Sequence, residues 1–172
     1  MTRLTAILAA LAAVALGCGY SLVDYDAGFG DIRTVAIQTP TNGTFQPGIE
    51  YVVADALRRE FLRRGAVRLV DDPKTADLVI DGNVRRIVTT GRSFSSIVFT
   101  LEYQLVLAVD LEATRPDGTS LFVGRRALEE TEFYLASADV EATRKNRDEA
   151  LRRVAQVIAQ RVHDSLLEAA VP

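Results

Sequence analysis

Ile97-Val98-Phe99-Thr100-Leu101-Glu102-Tyr103-Gln104-Leu105-Val106-Leu107-Ala108-Val109-Asp110-Leu111-Glu112-Ala113 decides the fold class. Its odd positions are apolar throughout, while the even ones include Thr100, Glu102, Gln104, Asp110 and Glu112. A period of two sustained this long puts one face on a core and leaves one face wet, as in an antiparallel sheet. Downstream, Arg115-Pro116-Asp117-Gly118 has Pro and Gly where a turn wants them, and the chain returns through Leu121, Phe122 and Val123 as a last long strand to about Phe133. Upstream, Leu78-Val79-Ile80 opens a strand that continues through Val84 and Ile87 toward Gly91, preceded by a short extended piece, Val67 to Val70.

Two helices flank these strands. Ile49, Val52, Val53, Ala56, Leu57 and Phe61 recur at spacings of three and four, with Asp55, Arg58, Arg59, Glu60, Arg63 and Arg64 facing elsewhere and Gly65 as C-cap. The C-terminal third carries the stripe Ala150, Leu151, Val154, Ala155, Ile158, Val162 and Leu166, capped by Ser137 or Asp139. Ile32 to Gln38 is β-branched and closes at Pro40, so it reads as a first strand followed by a loop from Thr39 to Gly48. Helices with one apolar side and strands that alternate satisfy each other when both helices pack on one face of one sheet. The expected fold is α+β: a two-layer sandwich with two helices on one face of a mostly antiparallel four-stranded sheet, in the order β-α-β-β-β-α, forming a single domain over residues 32–172.

The N-terminus is an address. Arg3 precedes an apolar run from Leu4 to Leu16 broken only by Thr5. At about 13 residues that run is too short for a membrane span of ~20 and fits the core of a signal peptide. The single cysteine, Cys18, ends it after Val14-Ala15-Leu16-Gly17, as in a bacterial lipobox. Residues 1–17 then read as a lipoprotein signal peptide and Cys18 as an acylated first mature residue. Residues 18–31, with several glycines and no periodicity, read as a lipidated tether. Gly19 rather than Asp after the cysteine favours the outer membrane, with the protein anchored on its periplasmic side.

Composition excludes more chemistry than it suggests. A net charge of −3 argues against nucleic acid as the main partner, and one Cys with one His cannot form a thiolate zinc cage. Gly28-Phe29-Gly30 is only a fragment of a glycine loop, and no phosphate-binding or nucleophile-elbow motif appears. No cofactor is implied. His163 reads as a surface histidine near the end of the last helix, and Glu129, Glu130 and Glu132 as a solvated strand edge rather than a catalytic acid pair. Of the 20 basic residues only Lys74 and Lys145 are lysines. Arginine forks suit phosphate, and two groups stand out: Arg85, Arg86 and Arg92 around the turn joining the second and third strands, and Arg144-Lys145-Asn146-Arg147 at the start of the last helix.

Cys18-Gly19-Tyr20-Ser21-Leu22, Ile32-Arg33-Thr34-Val35-Ala36-Ile37, Leu101-Glu102-Tyr103-Gln104-Leu105 and the helix begun near Asn146 occur in this order. In that order they resemble the LPS-assembly lipoprotein family, LptE. The resemblance implies a non-catalytic outer-membrane lipoprotein that plugs a large β-barrel, LptD, helps it assemble, and takes part in delivering lipopolysaccharide to the cell surface. It also implies direct contact with lipopolysaccharide through basic residues before the third strand and at the start of the last helix. Arg144 with Lys145 matches the second place; the first falls near Ser96, with Arg92 as the adjacent basic residue. The wet face carrying Thr100, Glu102, Gln104 and Asp110 would meet the polar barrel interior. The other reading is a periplasm-facing lipoprotein adaptor of a different envelope complex.

Overall fold

A computed structural model of the chain describes residues 28–94, 100–121 and 128–170. Its elements are β1 (Thr34–Ile37), β2 (Thr41–Asn42), α1 (Ile49–Arg64), β3 (Arg68–Leu69), β4 (Leu78–Phe94), β5 (Thr100–Thr114), β6 (Ser120–Leu121), β7 (Leu128–Leu135) and α2 (Val140–Ala170). The expected signal peptide, Cys18, most of the tether, and Ile97 to Phe99 lie outside the described residues.

The α+β class and the two helices are as expected, but the sheet is mixed and has seven strands among the described residues rather than four. β1 pairs in parallel with β3 and β4, and β2 in parallel with β4, while β5 runs antiparallel to β4, β6 and β7. The parallel edge follows from α1: a chain that leaves one strand, crosses through a helix and returns beside it comes back in the same direction. The expected loop after Gln38 contains β2, and the extended piece after Gly65 contains β3. The expected last strand is seen as β6 and β7.

α1 ends where Gly65, at φ 69°, turns left-handed and its N–H donates to the Phe61 carbonyl. α2 is continuous over 31 residues, about 46 Å at 1.5 Å per residue, so it can run the length of β5. Its cap is Asp139, whose Oδ1 accepts from the Glu141 N–H at 2.9 Å, with Ser137 supporting Asp139 in turn. Leu105, Leu107, Val109, Leu111 and Ala113 of β5 are buried against Ile158, Val162 and Leu166 of α2 and Leu57 and Phe61 of α1 in one core. Each such large side chain contributes about 1.5–3 kcal/mol by leaving water.

Gly82 lets the two long strands meet. A Cβ there would lie 2.0 Å from the Asp110 carbonyl oxygen and 2.9 Å from the Leu111 Cα. Three residues later the ladder shifts register at Arg85, again at Arg92, and once more between Ser93 and Phe94. Arg85, Arg86 and Arg92 therefore lie within β4, not around a turn as the sequence reading has it.

The core also reaches back into the expected tether. Phe29 is completely buried, bridges to Ile32, and stacks near Phe61 with ring centroids 6.0 Å apart. Asp31 accepts two hydrogen bonds from Arg115, at 2.7 and 2.8 Å, and that pairing holds its carboxyl below the usual range.

Candidate functional site

Strand parity sorts the sheet into a helix-covered face and a helix-free face. The free face takes Glu102, Gln104, Val106, Ala108 and Asp110 from β5. Opposite them in register stand Arg86, Val88 and Thr90 of β4, and Glu129, Thr131, Phe133 and Leu135 of β7. Thr100 pairs with Phe94 at the far end. Arg86 is paired with Glu129 at 2.7 Å and Arg85 with Asp110 at 3.3 Å. The face is not purely polar, as alternation in β5 alone suggests: Val88, Phe133, Leu135 and Phe94 are exposed beside it. The neighbouring strands alternate too, and their register brings apolar residues onto the same side.

Glu130 and Glu132 lie on the opposite, helix-covered face, where they pair with Arg161 and Arg153 of α2. The expected solvated acidic edge is thus divided. Glu129 is on the free face, and the other two join β7 to the helix.

Of the expected basic residues, Arg92 lies exposed at the second shift of β4, and Arg144 and Lys145 are exposed on the first turns of α2. Topology brings all three to one end of the domain, because Ser93 pairs with Glu102, Glu102 with Leu135, and the Leu135 carbonyl accepts from Asn146 of α2 at 2.9 Å. Arg144 is paired with Glu141 at 2.7 Å. The hollow beside it mixes Arg144, Lys145 and Arg152 with Glu141, Asp148 and Glu149, so its positive charge is largely offset.

A second group of arginines lies elsewhere. A cleft of about 450 Å³ is lined by Arg85, Arg86 and Arg147 together with Phe45, Gln46 and Thr89. Arg147 Nη2 donates to Gln46 Oε1 at 2.8 Å. The sequence places Arg147 and Arg85–Arg86 in separate groups; the hydrogen bond from Arg147 to Gln46 of the 43–46 loop brings them to one cleft.

Between the helices sits a polar knot that the sequence reading assigns to the surface. Glu60 is fully buried, and its carboxylate accepts from Arg63, Arg64 and Gln156. Burial opposes its ionisation, but the two guanidiniums outweigh that and hold its carboxyl below the usual range. His163 is 2% exposed, with edge-on contacts to Phe29 and Phe61 at 5.2 Å. Its Nδ1 faces Asp164 at 3.3 Å and its Nε2 is buried with no hydrogen-bond partner. Burial lowers its basicity despite Asp164. Spacing carries the missed signal: His163 is four after buried Ala159 and three before Leu166, and Glu60 is three after Leu57.

Among the described residues no cluster of His, Cys, Asp or Glu has the makings of a metal site, and no helix is long and apolar enough to cross a membrane. The LptE lipopolysaccharide-assembly family model matches residues 32–166. The chain belongs to the LptE family. It is therefore a non-catalytic lipopolysaccharide-assembly lipoprotein of the cell envelope, working with the lipopolysaccharide transport machinery. No curated protein matches the sequence significantly.

Solved structures share the LptE-type fold. Rare lipoprotein B from Shewanella oneidensis has 16% identity and a TM-score of 0.54 over 79% of this chain and 95% of that one. Lipoprotein B from Nitrosomonas europaea has 14% identity and a TM-score of 0.56, covering 84% and 87% respectively. A lipoprotein from Caulobacter crescentus has 13% identity and a TM-score of 0.53, covering 86% and 97%.

Proposed function

We propose that this LptE-family chain is anchored to the periplasmic side of the outer membrane through acyl chains on Cys18. There it seats as a plug in the lumen of an LptD-like β-barrel, assisting the barrel's assembly and the passage of lipopolysaccharide to the surface. The family match over residues 32–166 carries this reading. The shape of the domain supports it: α1 and α2 occupy one side of the sheet, leaving β4, β5 and β7 a broad face on which polar and modest apolar side chains alternate. The inner wall of such a barrel is lined by polar side chains, against which this face can form hydrogen bonds without burying unpaired charge. Glu102, Gln104 and Asp110 are the residues of β5 that would meet the wall, with Thr100 beyond them. Arg92, Arg144 and Lys145, gathered at one end, would contact lipopolysaccharide phosphates.

Affinity purification of the acylated protein from detergent-solubilised envelopes tests the plug reading. A large β-barrel protein is expected to accompany the wild type. The double variant Glu102→Arg, Gln104→Arg should lose most of it while keeping an unchanged urea midpoint, since both residues are outside the helix-packed core. Undiminished recovery of the barrel with that folded variant overturns the assignment of this face.

A further inference from the structure

On the side away from β5, β4 is covered only as far as Val84, where the Gly43 N–H donates to the Val84 carbonyl at 2.9 Å. From Arg85 to Phe94, β5 is the only strand paired with β4 among the described residues. The register shifts at Arg85 and Arg92 frame a regular run, Arg86-Ile87-Val88-Thr89-Thr90-Gly91, whose alternate N–H and C=O groups point away from β5. An open edge of this length is a template for another strand. Edges are commonly blunted with lysine or proline, and this run has neither.

The arginine-lined cleft lies at the start of that edge. Three guanidiniums and no carboxylate line it, each guanidinium having one carboxylate partner outside the lining: Asp110 for Arg85, Glu129 for Arg86 and, at 3.9 Å, Asp148 for Arg147. Beside them Phe45 is fully exposed on a loop that is tightly built. Asn42 Oδ1 accepts from the Thr44 N–H and hydroxyl at 2.9 and 2.8 Å. Asn42 Nδ2 donates to the Gln46 carbonyl at 2.9 Å and to Glu50 at 2.7 Å, and Gln46 is held in turn by Arg147. The ring is thus presented, not merely loose. Exposed aromatic and arginine side chains are the types that dominate protein–protein contacts. An acylated lipid would need apolar room for its chains, and the cleft offers only Ile87 and the Phe45 ring.

We propose that the Arg86–Gly91 edge of β4 accepts an extended acidic segment of a protein partner as an added strand. Main-chain hydrogen bonds to the edge would supply affinity. Specificity comes from carboxylates seated on Arg147, Arg85 and Arg86, which they would share with Asp148, Asp110 and Glu129, and from an apolar residue packed on Phe45. This site adjoins the helix-free face and shares Arg86 with it, but its test needs no barrel.

Hydrogen exchange followed by mass spectrometry on the full chain in detergent micelles tests the proposal. The probe is a short acetylated and amidated peptide in which Glu alternates with Thr and Val. The expected result is slowed exchange confined to residues 86–91 and the 43–46 loop. Its apparent Kd should rise about tenfold or more in the double variant Phe45→Ser, Arg147→Gln, as for loss of two interface anchors. Unchanged protection of β5 amides shows that this variant remains folded. No protection at millimolar peptide, equal protection by a peptide with Lys in place of Glu, or the same protection by inorganic phosphate alone overturns the proposal, the last in favour of a simple anion site.

Discussion

Truncating Phe29 to alanine asks where the domain begins. Composition places Phe29 in the tether, yet its ring is fully buried, 6.0 Å from the Phe61 ring and 5.2 Å from that of His163. Phe→Ala changes in packed cores cost about 3–5 kcal/mol, less where the backbone can collapse into the space. Collapse is limited here, because Asp31 is forked by Arg115 on one side and Gly30 lies against the Ala170 carbonyl on the other. We therefore expect a loss of about 3.5 kcal/mol. For a domain of this size that lowers Tm by roughly 7–14 °C, or the urea midpoint by about 1.7 M with an m-value of about 2 kcal/mol/M. Urea titration of the full chain in micelles, followed by far-UV circular dichroism, reads this directly. Phe45→Ala serves as control: the same side chain, fully exposed, should change stability by less than about 0.5 kcal/mol. A loss below about 1 kcal/mol for Phe29→Ala would refute the packing described here and return the start of the fold to Ile32.

Two further outcomes follow from the core. His163 is neutral and buried, with its basicity lowered from an ordinary value near 6.5, so the unfolded chain binds the extra proton first. Its stabilising contribution is complete above that value and is lost as pH falls below it, with a slope of at most about 1.4 kcal/mol per pH unit. The lowered carboxylates Asp31, Glu60, Asp77 and Asp117 act at more acidic pH, so urea midpoints compared between pH 7 and 5.5 isolate the histidine. His163→Phe should flatten that slope, and a variant that keeps it sinks the assignment. Gly82→Ala forces a methyl into the Asp110 carbonyl and should cost about 3 kcal/mol or more, whereas Gly65→Ala, strained at φ 69° but facing open space, should cost about 1–2; equal effects would show that the strands do not approach as described.

Period and spacing made much of the fold legible. Alternation in Leu101 to Ala113 marked β5 and its core face, and the three-four spacing from Ile49 to Phe61 marked α1 up to its glycine cap. Pairing direction was not legible, because β2 and β3 are two residues each and a hydrophobic pattern that short carries no period. Glu60 and His163 were misassigned for a different reason. Reading polarity before position sends a charged or titratable residue outward, yet both sit in register with apolar neighbours on their helices. Glu60 is tolerated there because Arg63, Arg64 and Gln156 satisfy it; His163 because a neutral ring can pack on Phe29 and Phe61.

The cationic groups show why a site is harder to read than a fold. Arg144, Lys145 and Arg147 fall within four residues, the densest basic run in the sequence, but a helix places Glu141 one turn before Arg144, with Asp148 and Glu149 one turn after Arg144 and Lys145, so local geometry cancels much of the charge that the run announces. Arg147, three residues after Arg144, points across the fold to Gln46 and joins Arg85 and Arg86, from which it is separated by about 60 residues of chain. Neighbours along the sequence are therefore split between two places in space. Substitutions at Arg147 and at Arg144 therefore separate the two proposed partners. Loss of a protein partner should follow Arg147, and loss of lipopolysaccharide contact should follow Arg144 and Arg92. If both losses followed the same residue, one of the two sites would not exist as drawn.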